Sequence, residues 1–243
     1  NFVRSGANLT KENQEKLRKL NSELSLLSLK YGDNLLAETN AYEMIIEKQE
    51  DLAGLPQEII DAAAVDAKAK NKEGKWLFTL SNSSVMPFLQ YSSKRELRQT
   101  LFNAYQKRGN NDNDKDNKET VRKISNLRME KAQLLGYKNH AAYVLEESMA
   151  KTPQTVNGLL EKLWIPALAK AKVEASDIAE MMRKEGINED VTPADWRFYA
   201  EKIRKERYNL NEQEMKPYFS IDNVRDGIFK VTENLYGLKF KQV

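Results

Sequence analysis

The hydrophobic positions near the start of the chain predict one long amphipathic helix. They begin after Leu9-Thr10 and recur three and four residues apart, with polar residues between them: Leu17, Leu20, Leu24, Leu27, Tyr31 and Leu35. This spacing places them on one face of a helix. About 30 residues with a rise of 1.5 Å each extend for roughly 45 Å, a length that is typical of a layered helical protein.

Two short stretches alternate between apolar and polar residues instead. The first covers residues 42–47 and the second covers residues 75–80. Alternation with a period of two predicts a strand in each. Because an isolated pair of strands is only marginally stable, we expect them to form a ribbon that packs against helices. Between the strands, Pro56 is predicted at the first position of an Ala-rich helix that runs to residue 69.

Capping residues and apolar stripes predict further helices along the rest of the chain. Their expected bounds are a Ser93–Glu96 capping box to Gly109, Val121 to Gly136, Asn139 to about Ala150, Thr152-Pro153 to Gly186 with a kink at Pro166, Thr192-Pro193 onward, an Asn211–Glu214 capping box to Pro217, and Val224 to Gly237. Residues 238–243 are predicted to be extended. The pattern predicts a mostly α, multi-helical fold with a short two-stranded β element.

The stretch over residues 109–117 is rich in Asn and Asp and marks the expected place of a sub-boundary in the chain. Asp112, Asp114 and Asp116 suggest a calcium-binding loop. The spacing contradicts this, because Asn117 stands where an EF-hand requires Gly and Lys123 stands where it requires a bidentate Glu. We therefore interpret the stretch as a solvated loop.

The composition excludes several classes of site within one copy of the chain. There is no Cys, which excludes thiol nucleophiles and Cys-ligated zinc. His140 is the single His, so an HExxH motif is absent. His140 stands at the start of a predicted helix without an accompanying nucleophile, and we interpret it as a structural or surface residue.

The charges are nearly balanced and spread along the chain. Lys and Arg number 39 against 36 Asp and Glu, which gives a net charge of +3. This distribution argues against nucleic acid as a partner. No apolar run reaches the roughly 20 residues that a membrane-spanning helix needs. The sequence does not begin with Met, so a targeting segment upstream stays open; we expect a soluble protein and favour the cytoplasm.

Aromatic residues are dense between residues 196 and 219. Helical spacing accounts for Trp196 and Tyr199 as core residues. The alternative is that some of these side chains line a peptide-binding cleft, because aromatic rings with a polar tip suit such walls. The candidates for this role are Trp196, Tyr199, Tyr218 and Phe219.

Several separate blocks of the sequence recur in the same order in one family. These blocks are Phe2-Val3-Arg4-Ser5-Gly6-Ala7-Asn8-Leu9, Leu52-Ala53-Gly54-Leu55-Pro56, Leu134-Leu135-Gly136-Tyr137, Met149-Ala150-Lys151-Thr152-Pro153, Lys216-Pro217-Tyr218-Phe219 and Tyr236-Gly237-Leu238. Through them the whole chain resembles the peptidyl-dipeptidases of the thimet oligopeptidase and neurolysin class of zinc metallopeptidases. One departure is Ala194, where many relatives have Trp.

The resemblance implies a neurolysin-like enzyme in which helical halves enclose a channel for short peptides. In that family, zinc is held by two His of an HExxH helix and a downstream Glu. These residues are expected beyond Val243, in a C-terminal catalytic half that would be the partner of this segment. No catalytic or metal-binding position can therefore be assigned within residues 1–243, and we expect the segment alone to be inactive.

Two hypotheses follow from the sequence. The first is that the chain is a helical, non-catalytic portion of a zinc peptidase that releases C-terminal dipeptides from short peptides. The second is a stand-alone helical peptide-binding or scaffold protein without catalysis. The first also predicts that an isolated segment self-associates through its uncovered apolar surfaces.

Overall fold

Helices dominate the computed structural model, which describes residues 2–209 and 212–241. The elements in chain order are α1 (Lys11–Ala41), β1 (Met44–Ile46), a 3₁₀ turn (Gln49–Leu52), α2 (Gln57–Ala69), β2 (Trp76–Phe78), α3 (Asn82–Tyr91), α4 (Arg95–Gln106), α5 (Lys118–Leu134), α6 (His140–Leu145), α7 (Pro153–Lys184), α8 (Pro193–Tyr208), α9 (Glu212–Met215), a second 3₁₀ turn (Lys216–Phe219) and α10 (Ile221–Tyr236). The predicted mostly α fold with a short two-stranded β element is confirmed.

The chain divides into two compact units, and the division follows Tyr199 within α8. The expected sub-boundary at residues 109–117 falls inside the first unit. None of the described helices is long and apolar enough to cross a membrane.

The core of the first unit forms around the β ribbon. β1 and β2 pair antiparallel, with Met44 opposite Phe78 and Ile46 opposite Trp76. α2, α3 and α4 cover the ribbon, and the buried apolar side chains are Met44, Ile46, Leu52, Leu55, Ala63, Phe78, Leu80, Val85, Phe88, Leu89 and Leu101. The rings of Phe78 and Phe88 meet edge to face at 4.6 Å. This packing supplies the stability that a two-stranded sheet lacks by itself.

The helix α3 differs from the sequence-based expectation, which left residues 82–91 without an element. Each strand also has three residues, fewer than predicted. The second strand ends early because the chain turns at Thr79, whose backbone N–H donates to the Ser84 hydroxyl at 3.0 Å. α3 then buries Val85, Phe88 and Leu89 although Pro87 lies within it.

The helix caps predicted at Asn139 and Thr152 are confirmed, and Thr10, after which the first helix was expected to begin, is a third cap. The side chains of Thr10, Asn139 and Thr152 accept hydrogen bonds from the backbone N–H three residues ahead, at 3.3, 2.8 and 3.2 Å. These bonds satisfy donors that a helix leaves unpaired at its first turn. Since the caps stand in separate loops, they define where α1, α6 and α7 begin.

Other predicted boundaries are wrong. The cap of α4 is Lys94 and not Ser93, and the Lys94 side chain makes no capping hydrogen bond. The Lys94 N–H donates to the Ser92 hydroxyl at 3.3 Å. Ser93 is used elsewhere, because its N–H donates to the Ala53 carbonyl at 2.8 Å. α6 ends at Leu145, short of the predicted Ala150. The predicted Asn211 cap lies outside the described residues.

The long helix α1 packs along α5 in the first unit. Leu17 and Leu20 of the predicted stripe are buried, and Leu24 is half-buried. Further along, Asn34 is also buried and donates to the Asn117 side chain at 3.1 Å. The loop before α5 is thereby tied to α1 by a buried polar bond.

In the second unit, α10 carries the stripe that its sequence predicts. Ser220 caps its start and Gly237, with a φ of +67°, ends it. The stripe residues Val224, Ile228, Val231 and Leu235 are all exposed. Residues 238–241 form no strand, and Phe240 stacks on Phe229 of α10 at 4.2 Å. The rest of the predicted extended tail lies outside the described residues.

Candidate functional site

Two of the four predicted cleft residues lie on α8 in the first unit. Trp196 is half-buried. Tyr199 is only 1 % exposed and its hydroxyl donates to the Glu185 carboxylate at 3.1 Å. Burial and the neighbouring Glu185 raise the pKa of Tyr199 to about 12. Tyr199 thus serves the packing of this unit as a neutral hydrogen-bond donor.

The other two predicted residues, Tyr218 and Phe219, lie in the second unit and are 77 % and 66 % exposed. Together with α10 they line an open groove of about 470 Å³. Apolar side chains of α10 form most of its wall, and Gly227 leaves its middle without a side chain. A groove of this size and polarity is within the range of small-ligand sites. The assignment of the four residues to a peptide cleft stays a prediction.

A buried ionic cluster holds the start of α8 against α4. The Asp195 carboxylate is fully buried and accepts from Arg95 Nε at 3.0 Å, Arg95 Nη2 at 2.9 Å and Arg98 Nη2 at 3.0 Å. The Thr192 hydroxyl and backbone N–H donate to its second oxygen at 2.8 and 3.0 Å. Arg98 also donates to the Ser92 carbonyl and stacks over the Phe198 ring.

The electrostatics of the cluster indicate a structural role. Burial by itself would raise the pKa of Asp195, but the donors Arg95, Thr192 and Arg98 outweigh it and hold the pKa at about 2. A carboxylate with this pKa does not exchange a proton near neutral pH, so Asp195 is not suited to general acid or base chemistry. The cluster instead holds the start of α8 against α4 within the first unit.

The Asn/Asp-rich loop is organised around an internal cation. The Lys118 ammonium lies 2.6 Å from Asp112, 2.7 Å from Asp116 and 3.1 Å from the Asn110 side-chain oxygen. Hydrogen bonds from Lys118 hold the pKa of Asp116 at about 2. On its other side the loop donates to the Glu38 carboxylate of α1. The oxygens that suggested calcium therefore have partners from the chain itself.

Comparison with known proteins gives these residues a family context. Residues 88–243 match the model of peptidase family M3. The chain belongs to this family. The resemblance that the sequence blocks indicate is confirmed.

Several relatives align with this chain along nearly all of its length. It is 31 % identical to the dipeptidyl carboxypeptidase of Escherichia coli (strain K12), over 98 % of the chain and 35 % of the relative. It is 34 % identical to a probable cytosolic oligopeptidase A of Arabidopsis thaliana, over 97 % of the chain and 34 % of the relative. It is 32 % identical to the oligopeptidase A of Salmonella typhimurium, over 99 % and 36 %. The chain spans about a third of the length of these relatives.

The zinc site that the M3 resemblance implies does not fit the residues of this chain. Over residues 2–209 and 212–241, no group of three or more His, Cys, Asp or Glu side chains is arranged to hold a metal. The chain has a single imidazole, His140, and its Nδ1 is buried without a hydrogen-bond partner. Burial and the nearby charges of Arg128 and Lys131 lower its pKa. Among the described residues, this single imidazole belongs to no group that could hold a metal ion.

The sequence did not reveal the ionic cluster around Asp195. Arg98 and Asp195 are 97 positions apart, and in a chain with 31 % charged residues neither is distinctive. One local feature of the sequence does bear on the cluster, because Thr192 and Asp195 have the spacing of a helix-capping pair. That spacing suggests a cap but does not identify the two arginines.

Proposed function

We propose that the chain forms a helical, non-catalytic portion of a zinc peptidase that releases C-terminal dipeptides from short peptides. The observation that carries this proposal is the match to family M3 over residues 88–243. A relative named dipeptidyl carboxypeptidase, aligned over 98 % of the chain, supports the dipeptide specificity. Zinc belongs to the proposed whole protein, because the residues that the structure describes supply no ligand set for it.

The role of the chain in such an enzyme is to build part of the channel wall. The packed core around β1 and β2 and the buried Asp195 cluster provide a stiff support for α8. Beyond α8, Tyr218 and Phe219 present exposed rings beside an apolar groove. A wall of this kind would contact the side chains of a bound peptide and leave the chemistry to the catalytic half.

The same groove favours a second candidate function, a stand-alone helical protein that binds peptides without cleaving them. An apolar groove lined by Tyr218 and Phe219 suits an apolar peptide segment whether or not a catalytic half is present. The two functions differ in whether cleavage accompanies binding.

Subcellular location is a separate part of the proposal. The names of the relatives include a cytosolic oligopeptidase A and an organellar one from chloroplasts and mitochondria. The cytoplasm, which the sequence favours, therefore stays a prediction.

The proposal is tested by sequencing the gene past Val243 and by comparing the longer gene product with residues 1–243. We expect an in-frame HExxH motif, stoichiometric zinc and release of C-terminal dipeptides in the longer product, and neither zinc nor cleavage in residues 1–243. Tight zinc and cleavage in residues 1–243 alone would contradict the proposal. A stop codon at the end of this segment would favour the binding protein.

Substitutions in the groove test its part in substrate binding. In the longer product, Phe219→Ala is expected to raise KM for peptides more than it lowers kcat, because the ring contacts substrate without taking part in the reaction. Ile221→Ala is the matched control, since Ile221 is 83 % exposed but does not line the groove. Equal effects of the two substitutions on KM would contradict the proposal that Phe219 lines the cleft.

A further inference from the structure

The first half of α7 stands out because no part of it is buried. Every residue from 159 to 170 is exposed, whereas the second half of the same helix buries Ile178 and Met182 in the first unit. The exposed half is nevertheless rich in large apolar side chains: Leu159 60 %, Leu160 57 %, Leu163 56 %, Trp164 64 %, Ile165 74 % and Leu168 37 % exposed. A helix usually buries such residues.

The apolar residues are distributed around most of this helix segment. At about 100° per residue, Leu159 and Leu168 lie on opposite sides, and Leu163, Leu160 and Trp164 fill the arc between them. Ile165 extends the apolar surface beyond half of the circumference. Glu161, Lys162 and Lys170 interrupt this surface. An apolar arc of more than half the circumference is still wider than the single stripe of an ordinary surface helix, which indicates a helix that a larger fold covers on several sides.

The size of this surface matches a stable interface. Fourteen helical residues extend for about 21 Å, and a helix about 10 Å wide has on the order of 600 Å² of lateral surface over that length. One partner contributes roughly 800 Å² to a standard stable interface. An apolar patch of this extent is unusual on a protein that functions alone.

We propose that residues 157–170 of α7 are the surface on which the catalytic half of the enzyme docks. This inference rests on the proposed function. The relatives extend over about three times the length of the chain, which supplies a covering segment large enough to enclose a helix. A second copy of the chain is a poorer occupant, because a paired helix covers a narrow seam and leaves the other sides of α7 in water.

Trp164 provides a direct measurement of docking. Acrylamide quenching of the wild type minus that of Trp164→Phe reports the exposure of this one ring. We expect Trp164 to be freely quenched in residues 1–243 and strongly protected in the longer gene product. The substitution itself is mild, since the ring is 64 % exposed in the structure.

Charged substitutions test whether the surface is needed for activity. Leu160→Glu with Leu163→Glu is expected to lower peptide cleavage by the longer product by about tenfold or more, which corresponds to about 1.4 kcal/mol of docking free energy. The matched control is Leu26→Glu with Leu29→Glu on α1, where the side chains are 66 % and 61 % exposed. Both pairs should leave the helix content of residues 1–243 unchanged, because all four side chains face solvent there.

The outcomes separate this inference from the proposed function. Cleavage by a longer product in which Trp164 stays open to acrylamide overturns the docking surface and leaves the function intact. Protection of Trp164 without any cleavage supports docking and contradicts the function. Protection already present in residues 1–243, together with sedimentation as a dimer, assigns the surface to a second copy and overturns the inference. Equal loss of activity from the α1 and α7 pairs also overturns it.

Discussion

Helices α3 and α7 show how differently two helices of one unit can use apolar residues. α3 has ten residues and buries Val85, Phe88 and Leu89 almost completely. α7 has 32 residues, yet only Ile178 and Met182 are buried. Packing against the β ribbon and the neighbouring helices stabilises α3, because ten residues are too few for a stable isolated helix.

The difference teaches that apolar content and burial are separate properties of a helix. The exposed half of α7 carries more large apolar side chains than α3, but the described residues of its unit leave all of them exposed. Its helical state rests on the Thr152 cap and on local propensity, and its apolar surface contributes little to the stability of residues 1–243. Substitutions in the two helices should therefore have opposite consequences for the isolated chain and for a longer enzyme.

The largest expected effect comes from deleting the same side chain in each helix. Leu89→Ala should reduce the free energy of unfolding of residues 1–243 by about 2–5 kcal/mol, because Leu89 is 3 % exposed and its removal leaves a cavity. Leu160→Ala, at 57 % exposure, should change it by less than about 0.5 kcal/mol. Urea unfolding followed by circular dichroism measures both. A loss of similar size in the two variants would show that α7 is covered in solution.

The sequence predicted α7 well and α3 not at all, for a physical reason. Thr152-Pro153 and a long apolar stripe predict α7, and both are local features of the sequence. In α3, a serine-rich start and Pro87 both argue against a helix, and the apolar spacing covers too few residues to outweigh them. Tertiary packing against Phe78 decides the conformation, and no local pattern records that contact.

The candidate site shows the same division. The sequence proposes Tyr218 and Phe219 as cleft residues, and both line an apolar groove that one short segment forms with α10; their part in a peptide cleft stays a prediction. Helical spacing predicted Tyr199 as a core residue, and it is buried, but the sequence did not reveal that Arg98, from a distant part of the chain, lies over its ring. Local chemistry was predictable where one segment contains it, and not where the fold assembles it.

A smaller effect is expected from the charge that anchors α8, and it depends on pH. The pKa of Asp195 is about 2 in the folded protein and 3.8 ordinarily, so the folded state favours its ionised form. Its contribution, on the order of 2 kcal/mol, is fully present well above the ordinary pKa of 3.8 and is lost as the pH falls through about 2. Asp195→Asn should remove this part of the acid dependence and destabilise the protein at neutral pH.

The control for this prediction is Glu189→Gln, which alters the other carboxylate on the same arginine. Glu189 pairs with Arg95 but is 73 % exposed. An exposed pair contributes about 0–1 kcal/mol, so this variant should stay close to the wild type. Thermal unfolding between pH 2 and pH 7 compares the three proteins. If the unfolding free energy of Asp195→Asn fell with acid as steeply as that of the wild type, the cluster would not be the source of the dependence.

The smallest expected effect is an increase in the free energy of unfolding, and it comes from replacing a glycine with alanine. Gly158 lies inside α7, and a Cβ added there meets nothing within 4 Å. Gly158→Ala should therefore raise the free energy of unfolding by about 0.5–1 kcal/mol, because alanine loses less backbone entropy in a helix.

Gly54 is the contrast in the packed region: its φ is +87°, and a Cβ would lie 2.3 Å from the Tyr91 carbonyl at the end of α3. Gly54→Ala should destabilise the same chain, and urea unfolding of the two variants side by side gives the sign of each change. A destabilising Gly158→Ala would mean that α7 has a close neighbour in solution, and the contrast between the exposed and the packed helix would no longer hold.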